Sequence, residues 1–343
     1  MSDFAAALLA KATPAQLEGL RLESIFMPEA RRQRDTLYKS NPSPRFVHYT
    51  RAEAAISIIR NKRLWLRNTT AMVDYREVHH GYSLLHSWFA VPANLDKFVA
   101  VFDKTHPGAA RDAIDSFNSF WTRTDIGVQT QTFISSISEH DSSEDEHGRL
   151  SMWRAFGADA PARVALVFRI PPFTGAADFL QCFFSPVAYL DEKRAHTIIA
   201  EILYNAESEQ DFLKTISYER VRNLLVFCFV AASTCVKHEG FKEEREWRIV
   251  YLPGYYPTSD PPRIESDVVT ISGVPQIVYK FPLDATVADE IADIDIAAIF
   301  DRLIVAPSQY PWVMYEAFKR ILEQAGVSDP GAKIITSSIP IRT

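Results

Sequence analysis

The 343-residue sequence predicts an α+β protein, a mixed sheet interrupted by large helical insertions. Three observations predict it. Residues 45–68 read strand, helix, strand: "RFVHY", with its β-branched and aromatic residues, and a second short strand-like run "RLWLRN" flank an amphipathic run. Two tracts with helical patterning, about 75–125 and 191–233, separate further strand-like runs. The C-terminus repeats the opening order, with "DRLIVAP", "PWVMYEAFKRILEQAG" and "AKIITSSI" reading strand, helix, strand. The expected organisation is a segment 1–44 of helices and linker, then one α+β domain over 45–343.

Each element has its own signal. Residues 3–12 and 14–26 carry helical patterning, and Thr13-Pro14 is a helix start with proline at the first position. Residues 28–45, rich in Arg, Pro and Ser, read as a linker. Thr50 to Glu53 fits a capping box, and Ala54, Ala55, Ile58 and Ile59 share the face that follows. The 75–125 tract breaks near Pro92 and Pro107. Residues 130–138 read as a strand, 139–149 as a polar acidic loop, and "LSMWRAFG" as a short helix ending at Gly157. "ARVALVFRI" at 162–170 is a strand stopped by Pro171-Pro172. "NLLVFCFVAAS" at 223–233 is too short to span a bilayer and reads as a buried helix. Residues 244–252 alternate as a half-buried strand does, and strands follow near 265–271 and 276–282.

The totals exclude some classes. Twelve glycines and no G-x-G-x-x-G or G-x-x-x-x-G-K argue against a Gly-rich phosphate loop. A net charge of −6 argues against a general nucleic-acid coat, although Lys62, Arg63 and Arg67 leave room for a local basic groove. Cys182, Cys228 and Cys235 form neither a disulfide framework nor a zinc motif, which fits a reducing cytoplasm. The N-terminus has no basic signal-peptide region, so neither export nor membrane insertion is expected.

Several residues carry chemistry. His48 stands where a strand ends and a helix begins, either bonding locally or facing a crevice. Period-two geometry places Glu244 and Glu246 on one strand face, with Arg248 as their cationic partner. That set reads either as a solvated salt bridge or as a catalytic Glu-x-Glu. Asp74 and Glu77 suit a helix start, where carboxylates meet the dipole. His140 and His147 have metal-ligand types without a ligand order, so the acidic loop is expected to be exposed and metal-free. His79 and His80 point in two directions and make a weak joint site, and Trp153 and Phe156 read as core or as a stacking shelf.

The blocks "HYT…AISIIRNKRLWLRNTTAMVDYREV", "FISSISE…LSMWRAFG…ARVALVF" and "KHEGFKEEREWRIV" resemble, in order, a bacterial family known as a domain of unknown function, DUF2971. The resemblance spans about 45–340, and departs at Val73-Asp74, where the family often shows Asn-Asp. The order of motifs is also similar, more weakly, to ADP-ribosyltransferases of the DarT type. That likeness implies an ADP-ribosyltransferase-like mixed sheet and NAD as substrate, with no metal. It implies that His48 holds the ribose and nicotinamide, that Glu246 is the late catalytic glutamate, and that Glu244 serves the acceptor. Tyr49, Thr50, Trp65, Asn68, Trp153, Phe156 and Arg248 would complete the NAD site, with Trp153 or Phe156 as the stacking ring.

The resulting expectation is an ADP-ribosyltransferase or NAD glycohydrolase, acting as a bacterial toxin or anti-phage defence effector. Its acceptor would be a nucleic acid or a protein, and a regulatory partner protein would control it. The alternatives are a metal-dependent nuclease built on Asp74, Glu77, Glu244 and Glu246 with Arg248, and a non-catalytic sensor or interaction protein.

Overall fold

A computed structural model describes residues 14–41, 43–71, 76–122, 131–156, 162–171, 175–254 and 262–339. The expected helix at 3–12 lies outside them, as do Val73 and Asp74, and the side chain of Glu77. The chain divides into two compact units, each assembled from three segments. One comprises Met1–Pro42, Asn68–Thr132 and Ser185–Glu243; the other comprises Ser43–Arg67, Phe133–Phe184 and Glu244–Thr343.

The first unit is helical. It contains Pro14–Phe26, Pro28–Ser40, Arg76–Phe89, Pro92–Asp103, Ala109–Thr122, Glu192–Ser208, Gln210–Leu213 and Tyr218–Thr234. Pro28–Ser40 corrects the linker expected there. Proline sits at its first position, and Arg31–Asp35 and Arg32–Glu29 pair at helical spacing. The apolar run 223–233 lies in Tyr218–Thr234, which buries Leu225, Phe229 and Val230. Gly81 lets Arg76–Phe89 approach that helix: a Cβ there would stand 2.1 Å from the Ala232 carbonyl oxygen. Among the described residues, no helix is long and apolar enough to cross a membrane.

The second unit is built on a ten-stranded mixed sheet, so the α+β class holds. In chain order its strands are β1 (Arg45–Arg51), β2 (Arg63–Asn68), β3 (Phe133–His140), β4 (Arg163–Arg169) and β5 (Cys182–Pro186). A separate two-stranded pair, β6 (Ala188–Tyr189) and β7 (Val236–Lys237), belongs to the helical unit. The sheet continues with β8 (Glu246–Tyr251), β9 (Glu265–Ile271), β10 (Val274–Pro282), β11 (Phe300–Val305) and β12 (Ile334–Thr336). The order is β12-β11-β4-β1-β3-β2-β10-β9, with β8 also pairing β3 and β5 pairing β8.

The helix Ala52–Asn61 connects β1 to β2 and buries Ala55, Ile58 and Ile59. Its N-cap is Arg51, with no side-chain cap, so Thr50 is a strand residue and not the expected cap. The Ala52 amide is satisfied instead by the carbonyl of Ala162. Leu166, Leu303, Leu64 and Phe133 pack on one side of the sheet with that helix and with Pro311–Gln324. Val47, Tyr49, Ala165 and Ile304 pack on the other side against Met152 and Trp153 of the helix Leu150–Ala155.

β1 runs beside β4 for seven paired positions but beside β3 for three, Arg45 to Val47. Ser138 pairs with Val47 on one edge of β3 and with Glu246 on the other. β8 therefore occupies one edge, and β1 and β2 share the opposite one. Beyond Val47 the sheet forks between β1 and β3.

Candidate functional site

His48 is the first residue past the fork. It is half-buried, and its Nδ1 lies 2.9 Å from the Ser136 carbonyl oxygen. A carbonyl only accepts, so the neutral ring carries its proton on Nδ1 and leaves Nε2 as an acceptor. Burial lowers the His48 pKa from 6.5, outweighing the Ser136 bond, and so favours that neutral ring.

Ser136 is the meeting point. Its hydroxyl donates to Glu246 Oε1. Arg248 donates to the same carboxylate from Nε at 2.7 Å and from Nη2 at 3.1 Å. Glu246 is 5% exposed and Arg248 3%, so this is a buried ion pair and not a solvated one. Register explains the grouping. Ser138 pairs with Glu246 and Ser136 with Arg248, so these four side chains leave one face of the sheet. Val47 shares that face through Ser138, and Tyr49 through period two. His48 starts from the other face and reaches Ser136 through the plane of the fork. His48 and Glu246 thus contact the same residue, one at its carbonyl and one at its hydroxyl.

Glu244 does not join them. It ends the 3-10 turn Glu239–Glu244, and Arg245 adopts a left-handed φ of 45° before β8 begins at Glu246. That turn breaks the alternation expected to align Glu244 with Glu246. The Glu244 carbonyl accepts from Arg149 instead.

The ring shelf is also a correction. Trp153 is fully buried, its indole N–H donates to the His147 carbonyl at 2.7 Å, and its ring packs T-shaped on Tyr49 with centroids 4.8 Å apart. Trp153 therefore leaves no ring face for a ligand. The Tyr49 oxygen accepts from the Arg149 amide at 2.7 Å, and burial pushes its pKa up to about 12. Phe156 packs, partly buried, on the same cluster. Thr50 and Trp65 are half-buried on β1 and β2. The Asn68 amide oxygen is engaged by the backbone N–H of Thr70 at 2.9 Å. Burial, and after it the charge of Arg51, lowers the Arg67 pKa, so two cations stand near each other on the strands bordering the fork.

The acidic segment is exposed as expected at Asp141, Ser142, Ser143 and Glu146, but Glu144 and Asp145 are pinned by charge and not left in a solvated loop. β3 continues to His140, which is buried. Asp141 and Glu144 then form a reciprocal capping box around Ser142–Glu144. Glu144 accepts from Arg149 Nε at 2.8 Å and pairs with Arg245. Asp145 pairs with Arg45 at 2.8 Å and Arg302 at 3.0 Å, and takes His140 Nε2 at 2.9 Å. Asp301 completes the network with Arg45, Arg169 and Arg302. The carboxylates beside His140 are thus spent on arginines. His147 stands apart, more exposed, with its ring near Glu146. Among the described residues, no group of three or more His, Cys, Asp or Glu is arranged to hold a metal ion.

In the helical unit, His80 Nε2 bonds the Leu190 carbonyl at 3.0 Å, while His79 packs edge-on against Trp121. The two histidines serve different neighbours.

Sequence reasoning found His48, Glu246 and Arg248 but passed over Ser136. In "SSIS" Ser136 and Ser138 share a strand face, but only the register against Arg248 and Glu246 singles Ser136 out.

Residues 152–249 match the family described as "Protein of unknown function (DUF2971)". Over those residues the match bears out the DUF2971 resemblance, and it covers Trp153, Glu244, Glu246 and Arg248. No curated protein and no solved structure matches the chain.

Proposed function

We propose that the chain is an ADP-ribosyltransferase or NAD glycohydrolase working at the β1/β3 fork, as a toxin or defence effector. The supporting observation is Ser136, which holds His48 by its carbonyl and Glu246 by its hydroxyl. His48 and Ser136 are both half-buried, so the fork meets solvent at these two residues.

The reaction breaks the bond between the ribose C1′ and the nicotinamide nitrogen. The bonding pair leaves with nicotinamide, and positive charge develops on the ribose. Glu246, held by Ser136 and Arg248, supplies a fixed negative group for that charge. His48 Nε2 accepts from a ribose hydroxyl. Arg51 and Arg67 supply cationic charge for the diphosphate. Water or an acceptor hydroxyl, amine or base nitrogen then attacks C1′, and its proton passes to solvent. The acceptor class is nucleic acid or protein.

The test is nicotinamide release from NAD by the full chain, with and without EDTA. Release unaffected by EDTA and lost in His48→Ala supports the proposal. No release with any acceptor overturns it.

A second reading rests on the burial of Glu246. A carboxylate 5% exposed and held by Arg248 is also what a structural strut looks like. On that reading the chain is a non-catalytic sensor or interaction protein. NAD binding without turnover, or neither, would favour it.

A further inference from the structure

Among the described residues, the helical unit has a partly open apolar pocket of about 140 Å³. Its walls are apolar, among them Phe89, Phe98, Ile199, Leu225 and Phe229. Interiors pack as closely as organic crystals, and voids larger than a water molecule are few. The helices cannot simply close over this one. Gly81 already brings Arg76–Phe89 against the backbone at Ala232, and that contact fixes their spacing beside the void.

Water in this pocket finds few polar side-chain partners. A buried water needs two to four polar partners. The Ser185 hydroxyl is spent on the Pro186 carbonyl. The Cys228 thiol points at the Phe26 carbonyl at 3.5 Å, and burial pushes its pKa up to about 12, so it stays neutral. Glu29 lines the cavity too, but Arg32 and Arg194 hold its carboxylate. An enclosed apolar cavity of about this volume accepts benzene in an engineered protein.

We propose that this cavity is a binding site for a small neutral apolar group, an aromatic ring or a short alkyl chain of about benzene's bulk. The site lies wholly within the helical unit and does not depend on the NAD reading. An anionic head is disfavoured, because Glu29 is the carboxylate already present in the lining.

The test is isothermal titration calorimetry of the full chain with toluene, hexanol and hexanoate. Toluene and hexanol should give one-site isotherms, with hexanoate at least tenfold weaker. Saturating toluene should raise the thermal midpoint by roughly 5 °C. Ala195→Phe, which fills the cavity, should weaken toluene at least tenfold without lowering the midpoint. Should that variant fail to fold, Cys228→Leu is the milder filling and should weaken toluene in the same direction. Ile199→Ala enlarges the cavity; it should lower the unliganded midpoint and bind propylbenzene more tightly than wild type does. No saturable heat and no midpoint shift with any of the three probes would overturn the proposal. So would a folded filled variant that binds toluene as wild type does.

Discussion

Ser136 and Glu246 are joined side chain to side chain across β3 and β8, and the backbone of the same serine is held by His48. A hydroxyl that donates to a carboxylate fixes both its direction and its rotamer. Ser136→Ala removes that donor without altering charge. Under the transferase reading, nicotinamide release should fall about tenfold or more, since Glu246 loses an orienting partner. The thermal cost should be about 1 kcal/mol, the usual worth of one hydrogen bond. Turnover unchanged beside a lowered midpoint would reduce Ser136 to a packing role.

Glu246→Gln is expected to do two things. Turnover should fall about 100-fold or more, because the charge that meets the transition state is gone. Stability should fall as well, by about 3 kcal/mol, because the buried Arg248 loses the charge of the carboxylate it donates to. An exposed strand carboxylate would have shown little of the second effect. The double variant Glu246→Gln with Arg248→Met separates the two: stability should return in part, and turnover should not. Denaturant titration and a nicotinamide assay on each variant check this.

Acid should destabilise the protein from about pH 6.5 downward. Burial lowers the pKa of both His48 and His140 below 6.5, so the unfolded chain binds more protons in that range. Their contribution is complete above the unfolded pKa and is lost as pH falls from about 6.5 toward the lowered folded values. A further loss follows near and below pH 4. Burial raises the Asp301 pKa, but hydrogen bonds and charges from Arg302, Arg169 and Arg45 lower it by more. Denaturant midpoints from pH 8 to 4 should show the first slope, and His48→Gln with His140→Gln should flatten it. A flat profile down to pH 5 would refute it.

Asp145→Asn should cost about 2–4 kcal/mol. Arg45 is buried, and this carboxylate holds Arg45 and Arg302 together with His140. Asp301 still touches both arginines, which keeps the cost below that of an isolated buried pair. Protease sensitivity between residues 139 and 149 should rise in the variant and be low in wild type.

Gly148→Ala should destabilise by more than about 1 kcal/mol. The backbone there has a φ of 68°, and a Cβ would stand 2.9 Å from the Trp153 ring. Near-ultraviolet circular dichroism of the tryptophans and a thermal melt report the effect.

The sheet was legible because its strands announce themselves one at a time. β1 and β4 are compact runs of β-branched and aromatic residues, β2 alternates Leu64, Trp65 and Leu66 between arginines, and His48 was visible as the polar residue near the end of the first. Residues 28–45 misled because arginine and serine suit both linkers and exposed helices. What decides is pairing at helical spacing and to Glu23 and Glu201. The acidic segment misled for a related reason. Its charges look solvated until Arg45, Arg149, Arg245 and Arg302 converge on them from separate strands and loops. The break before Glu246 depends on a non-glycine residue in a left-handed conformation, for which the local sequence holds no rule. Of the candidate site, the ionisable members could be read from sequence. The serine joining two of them could not be singled out, because an uncharged hydroxyl on a strand has no signature until register is known.

The interleaved segments bear on synthesis. β1 leaves the ribosome before its partners β3 and β4, which come after the first helical insertion. β4 in turn takes β11 on its free edge, and β3 takes β8, both of which follow the second insertion. Edge-bearing intermediates must therefore wait while more than half the chain is made, with Val, Ile and Phe side chains uncovered. Nascent protein should be exposed to chaperones and to misassembly for longer than its size alone implies. Truncation before Glu246 should yield aggregate and not a smaller working domain, because β3 would keep an open edge along its length.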